Sequence, residues 1–186
     1  RNLADRLVSV DLLGRAAELL DHQVRYRLQR EERSRTGTKL ALIYLLDRKP
    51  NEALQTLELT GYGQNSLDLQ RTRNQIAAAA YTDIGDYDSA LNVLEGDMSQ
   101  EGMKARLNVY WDEKDWKNVV NVAETILSNR NDPSAPLSTS ETDALLKLAT
   151  AYVFQRDTSQ LQYLKDYFTP LMKTNKEYPT FSFITS

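Results

Sequence analysis

Few side chains in this sequence could do chemistry unaided. His22, in "LLDHQVRYRL", is the only histidine, and there is no cysteine. A lone histidine could shuttle a proton or give a metal one ligand, but either task needs a converging set of partners. Without a second histidine or a thiolate, no zinc site can be completed, and disulfides and Cys nucleophiles are excluded. Beside charged neighbours, His22 reads as a helix-surface residue. Gly61 and Gly63 in "LTGYGQNS" lack the following Lys-Ser/Thr and the preceding strand of a phosphate loop, so they read as a helix–helix connection. A glycosidase-like pair could hide among 26 acidic residues. Asp86 and Asp88, however, fall at a turn, where Asp serves as cap and turn former, and no other pair stands out. The expectation is a protein that is not an enzyme and uses no cofactor or metal.

Charge is unevenly spread. Residues 23–49 hold eight Lys and Arg against three acids, whereas residues 83–101 hold six acids and no Lys or Arg. A basic stretch with Tyr26 nearby could contact nucleic-acid phosphates. The alternative is a solvated helix face with (i, i+4) pairs such as Glu31–Arg35. The net charge of −3 favours the solvated face over nucleic acid.

The elements that must position any site are helical. Only 7 Gly and 5 Pro occur in 186 residues, while the helix formers Ala, Leu, Gln, Glu, Lys and Arg dominate. Hydrophobic residues at 41% and charged residues at 26% suit a packed core. No apolar run approaches the roughly 20 residues of a membrane span. Helices are expected near 2–9, 12–28, 32–47, 51–59, 67–83, 87–95, 99–112, 116–128, 139–155 and 159–173. Ser138 or Ser140 is the expected N-cap of "ETDALLKLATAYVF". Gly85 and Asp86 suit a tight turn in which glycine takes left-handed backbone.

Those helices repeat. Small residues follow three turns at equal spacing: Ala16 in "DLLGRAAELL", Ala53 in "KPNEALQTL" and Ala90 in "DYDSALNVL". Val119 in "KDWKNVVNVA" and Leu161 in "RDTSQLQYL" take the same place in two weaker copies. Nine residues before each anchor stands a large side chain: Leu7, Tyr44, Tyr81, Tyr110 and Tyr152. Four residues after it comes Leu20, Leu57, Leu94, Ala123 or Lys165. A large–small–large spacing lets two antiparallel helices interlock, because the small residue admits close backbone approach and the tyrosine fills the gap beside it.

This pattern resembles the tetratricopeptide repeat, a helix–turn–helix unit of about 34 residues. Leu40-Ala41…Tyr44…Ala53 matches its signature, as does Ala77-Ala78…Tyr81…Gly85-Asp86-Tyr87…Ala90. The fourth copy keeps Leu107, Tyr110 and Trp116 without the alanine. The fifth keeps Leu148-Ala149 and Tyr152. The resemblance implies an all-α fold, a right-handed α-α superhelix of about five units near 1–30, 31–66, 67–98, 99–137 and 138–175, in one solenoid domain. The chain is also similar to repeat regions of large bacterial envelope-associated proteins, with cytoplasm and periplasm both open. It starts at "RNLADRLV" and ends at "EYPTFSFITS", where Phe181, Phe183 and Ile184 read as the start of another packed helix. Solenoids close with polar capping helices, so a piece cut from a longer solenoid is expected.

In tetratricopeptide arrays the first helix of each unit lines a concave groove that holds peptides or helices. The resemblance therefore implies a non-enzymatic interaction module with a protein or peptide partner. Its groove positions carry over to Arg35 and Thr38, then Thr72, Gln75, Ala79 and Thr82, then Lys104, Asn108 and Trp111, then Asp143, Lys147 and Thr150. Trp111 follows Tyr110 directly, so it points about 100° away from the packing face. It is either an interface anchor, a role in which Trp is enriched, or core covering the junction with the preceding unit. Lys104 and Asn108 fit one unit's share of the family's carboxylate clamp, but Lys147 replaces the next Asn, so a chaperone-binding role is not expected. The alternative is a structural spacer that associates with itself through exposed ends.

Overall fold

A computed structural model describes residues 3–26, 28–130 and 132–186, with side chains from Leu12 onward. The described residues form ten helices and no strand. They are α1 (Leu3–Tyr26), α2 (Arg30–Leu46), α3 (Pro50–Leu59), α4 (Leu67–Asp83), α5 (Tyr87–Val93), α6 (Gln100–Glu113), α7 (Trp116–Ser128), α8 (Thr139–Gln155), α9 (Thr158–Met172) and α10 (Tyr178–Ile184). The all-α class therefore holds. The helices gather into two compact units, residues 1–97 and residues 98–186.

Four helical hairpins, α2–α3, α4–α5, α6–α7 and α8–α9, are closed by the same turn. In each, the fifth residue before the anchor takes left-handed backbone: Arg48 (φ 60°), Gly85 (φ 80°), Lys114 (φ 62°) and Arg156 (φ 58°). The next residue donates its N–H back across the turn to the repeat tyrosine's carbonyl. These bonds are Lys49 to Tyr44, Asp86 to Tyr81, Asp115 to Tyr110 and Asp157 to Tyr152, at 2.8–3.0 Å. Such a six-residue closure satisfies carbonyls that a helix end otherwise leaves bare. In three hairpins that residue is an Asp that also caps the second helix, accepting from the N–H of Ser89, Asn118 or Gln160. In the remaining hairpin Lys49 has no capping side chain and Pro50 opens α3, where its missing N–H costs nothing. The anchors Ala53, Ala90 and Val119 are fully buried.

In the first unit α1 packs on α2, α2 on α3, α3 on α4 and α4 on α5, with α2 and α4 also in contact. Its core is small: Ala41, Ala53, Leu57, Ile76 and Ala80, bordered by Tyr44, Leu45, Leu54 and Ala77. Gly37 of α2 lies against Thr60, whose side-chain atoms stand 2.2–2.5 Å from where a β-carbon would be. Only glycine admits that approach.

In the second unit α8 touches α6, α7, α9 and α10. A larger core runs through Leu107, Val119, Leu145, Leu148, Phe168, Met172 and Phe181. Ser138 caps α8 by accepting from Glu141 N–H, while the Glu141 carboxylate accepts from Ser138 N–H. Burial pushes the Glu141 carboxyl up, but those bonds and the Arg130 guanidinium outweigh it and hold it below the usual range.

The reading of the first copy is corrected. The first 30 residues hold one continuous helix rather than two, so Gly14 sits inside α1 and breaks nothing. Ala16 consequently follows no turn, and Ala17 is the buried alanine there. An isolated glycine costs a helix only about 1 kcal/mol, too little to end one without a capping residue behind it. Leu7, the large residue assigned to that copy, has a side chain outside the described residues. Residues 178–184 do form a packed helix, with Phe181 buried and Phe183 81% exposed.

Candidate functional site

The expected groove residues of the first unit are mostly turned to structural work. Arg35 is exposed and paired with Glu31 one turn earlier. Thr72 bonds the Asp68 carbonyl and Thr82 the Ala78 carbonyl, while Ala79 is exposed. Gln75 donates to Asp97 at 2.9 Å, and Arg71 approaches the same buried carboxylate.

Thr38 is 6% exposed and belongs to the interior. Its hydroxyl donates to the Ser34 carbonyl at 2.7 Å and accepts from Arg73 at 3.0 Å. Arg73, 5% exposed, is the centre of that interior. Its guanidinium also donates to the carbonyls of Ser34 and Leu57 and approaches the Thr60 hydroxyl. All of these acceptors are neutral. Burial lowers its pKa from the ordinary arginine value, because desolvation disfavours the charged form. Sequence reasoning passed over Arg73, since one arginine in "LQRTRNQIAAAA" looks like any solvated charge.

In the second unit the expected residues converge. Lys104, Asn108 and Trp111 lie along α6, at spacings of four and three that place them on one face. Asp143, Lys147 and Thr150 do the same on α8. Lys147 Nζ donates to Asn108 Oδ1 at 2.5 Å and to Asp143 Oδ2 at 2.8 Å. The same ammonium stands 5.8 Å from the centre of the Trp111 ring, within cation–π range. Lys104 is exposed, and no hydrogen bond or ion pair ties it down among the described residues. Thr150 bonds back to the Leu146 carbonyl at 2.8 Å.

Trp111 is partly buried, and its two readings are each half met. It packs against the core and meets Trp116 edge-on, with ring centres 5.5 Å apart. Trp116 in turn stacks flat on Phe154, centres 4.4 Å apart and planes 5° from parallel. Phe154 remains 60% exposed. An aromatic row thus leads from the Lys147 cluster to the far end of α8. Neither Trp116 nor Phe154 stood among the expected site residues. Phe154 carried a signal, because it follows Lys147 by seven residues and so shares its face of α8; Trp116 was read only as a packing residue of its copy.

Asp143 also borders a cavity of about 520 Å³ between α8 and the turn into α10, walled by Leu137, Leu146, Asn175 and Glu177. That volume lies within the usual range for a ligand pocket. Asn175 Nδ2 donates to the buried Thr142 hydroxyl at 3.0 Å, which fixes the wall.

His22 is exposed and lies 5.1 Å from Tyr26, centre to centre. Residues 60–66 connect α3 to α4, as read from Gly61 and Gly63. Among the described residues no cluster of three His, Asp or Glu is placed to hold a metal ion. No described helix is long and apolar enough to cross a membrane. Comparison with protein-family models, with curated proteins and with solved structures finds no match.

Proposed function

We propose that the chain is a non-enzymatic interaction module, a tetratricopeptide-like right-handed superhelix that holds a peptide or protein segment on the α6–α8 face. One observation carries the reading: Asn108 and Trp111 from one hairpin and Asp143 and Lys147 from the next meet in a single cluster. Four hairpins closed by the same turn support the repeat architecture. Side chains anchored at both ends are already ordered, so a partner meets a surface that loses little freedom on binding. Trp111, Trp116 and Phe154 supply apolar area, and Asn108 and Lys104 supply hydrogen-bond donors beside it.

The test is selection from a random peptide display library, with affinities then measured on folded variants. Selected peptides should bind the wild-type chain and lose roughly tenfold or more on Trp111→Ala and on Lys104→Glu. If the selected peptides bind both folded variants as they bind the wild type, the α6–α8 face is not the site. The second reading, a spacer that associates with itself, is favoured by Phe183, a large apolar side chain left mostly in solvent on α10. Sedimentation would decide it: a dimer that Phe183→Ser disperses supports the spacer, and a monomer at all concentrations removes it.

A further inference from the structure

The first unit has a separate cavity, about 300 Å³, bounded by α1, α2 and α3. Its floor is Leu40 and the repeat tyrosine Tyr44, and Val24 of α1 forms one apolar wall. Two of its charges cancel: Arg25 Nε lies 2.7 Å from Asp21 Oδ2. Two others do not. Arg33 Nε is withdrawn from solvent and has no hydrogen-bond partner. The Glu52 carboxylate, which also lines the cavity, likewise has no hydrogen bond or ion pair among the described residues. A buried donor left unpaired costs about 1–3 kcal/mol, and native proteins seldom keep one without reason. Two neutral groups on the same walls, the Tyr44 hydroxyl and the Gln55 amide, are also unengaged. Burial, with the Asp21 charge second, raises the Tyr44 pKa, so its hydroxyl stays a donor.

We propose that this cavity binds a free α-amino acid. A cation and a carboxylate, Arg33 and Glu52, face the same space, so the fitting ligand carries both complementary charges and has no net charge. A simple anion would suit Arg33 but would meet Glu52 as a like charge. A simple cation would suit Glu52 and be repelled by Arg33. In the bound arrangement the ligand carboxylate accepts from the Arg33 guanidinium, a charge-assisted and often two-pronged contact. Its ammonium donates to Glu52. A modest apolar side chain lies against Val24 and Leu40. The site shares no residue with the α6–α8 face, so either can fail without the other.

Isothermal titration of the whole chain with the L-α-amino acids tests it. The amino acid that binds best is then compared with its N-acetyl and amide derivatives, each of which removes one charge. The expected result is measurable binding of at least one aliphatic amino acid, weakened about tenfold or more by either derivative. Glu52→Gln, on an exposed position, should weaken the free amino acid and spare the N-acetyl form. Arg33→Gln, checked by circular dichroism, should abolish binding. The idea is overturned if no amino acid binds at about 10 mM. It is equally overturned if the blocked derivatives bind as well as the parent, or if both folded variants bind unchanged. The derivative series needs no variant, so it still decides the matter if Arg33→Gln misfolds.

Discussion

Where α2 meets α4, the polar side chains face inwards; where α6 meets α8, they face out. Both contacts join the first helices of successive hairpins, and both hairpin pairs are closed by the same left-handed turn. In the first, Arg73 lies inside and is held by Ser34, Thr38, Leu57 and Thr60. In the second, Lys147 lies half-buried at the rim, bonded to the exposed Asn108 and to Asp143 and set over Trp111. The difference teaches that the turn and its anchor define the hairpin, while the contact between hairpins is free to vary. Where that contact is sealed around a buried cation, the face has little left to offer a partner. Where it is filled by Leu107 and Leu145, the polar groups remain outside and available.

The comparison breaks most readily at Arg73. Methionine there fills much of the volume but removes the donor to the Leu57 carbonyl and to the Thr38 and Thr60 hydroxyls, while the Ser34 carbonyl keeps its bond from Thr38. The first unit should lose about 2–4 kcal/mol, since each buried acceptor left unpaired costs of order 1 kcal/mol. Lys147→Met should lose only about 0.5–1 kcal/mol, because its partly exposed partners Asn108 and Asp143 are rehydrated when the ammonium is removed. Hydrogen exchange followed by mass spectrometry distinguishes them, because protection should fall in α2–α4 for the first variant and nowhere for the second. Equal losses would mean that the inward and outward arrangements are energetically alike, and the contrast would lose its meaning.

Much of this was legible in the residue order. The hairpins from 31 onward were readable because Tyr, turn and anchor recur in fixed register, with a capping Asp in three of the four, and α4, α7 and α8 fall on the expected residues. The first 30 residues misled, because Leu7, Ala16 and Leu20 imitate the spacing while no capping Asp and no left-handed residue accompany it. Spacing alone describes one face of any helix; only the turn chemistry distinguishes a hairpin. The convergence of Lys147 with Asn108 and Trp111 follows from helix faces, so those residues were within reach. The burial of Thr38 and Arg73 was not. It depends on Gly37 letting Thr60 approach, a contact between residues 23 apart that no local pattern encodes.

The shared turn can be sharpened by exchange. Lys114 and Arg156 hold left-handed backbone that costs an L side chain roughly 1 kcal/mol, and Gly85 avoids that cost. Lys114→Gly and Arg156→Gly should therefore stabilise their hairpins by a few tenths to about 1 kcal/mol, after glycine's greater freedom in the unfolded chain is deducted. Gly85→Ala should destabilise by about 1 kcal/mol. Urea midpoints would show whether the signs are opposite. The same sign for all three would mean that the turns are not equivalent after all.

The smallest effect concerns two of the four repeat tyrosines, Tyr44 in the first unit and Tyr152 in the second. Burial raises both pKa values; Asp21 adds to it at Tyr44, and the Glu124 carboxylate, accepting the phenol's proton, adds to it at Tyr152. In the unfolded chain a tyrosine ionises near pH 10. Above that pH the unfolded state holds fewer protons than the folded one, so stability falls as pH rises and is complete only below about pH 10. Tyr152→Phe should lose only about 0.5 kcal/mol at neutral pH, because the exposed Glu124 is rehydrated when its donor leaves. Its signature is in the slope: the alkaline decline above about pH 10 should flatten. Tyr44→Phe should flatten it less, since Arg25 and Lys49 oppose the upward shift there. Denaturation midpoints of the three proteins across that alkaline range measure this directly. A decline of the same steepness in all three would assign it to other groups and leave the two tyrosines as packing alone.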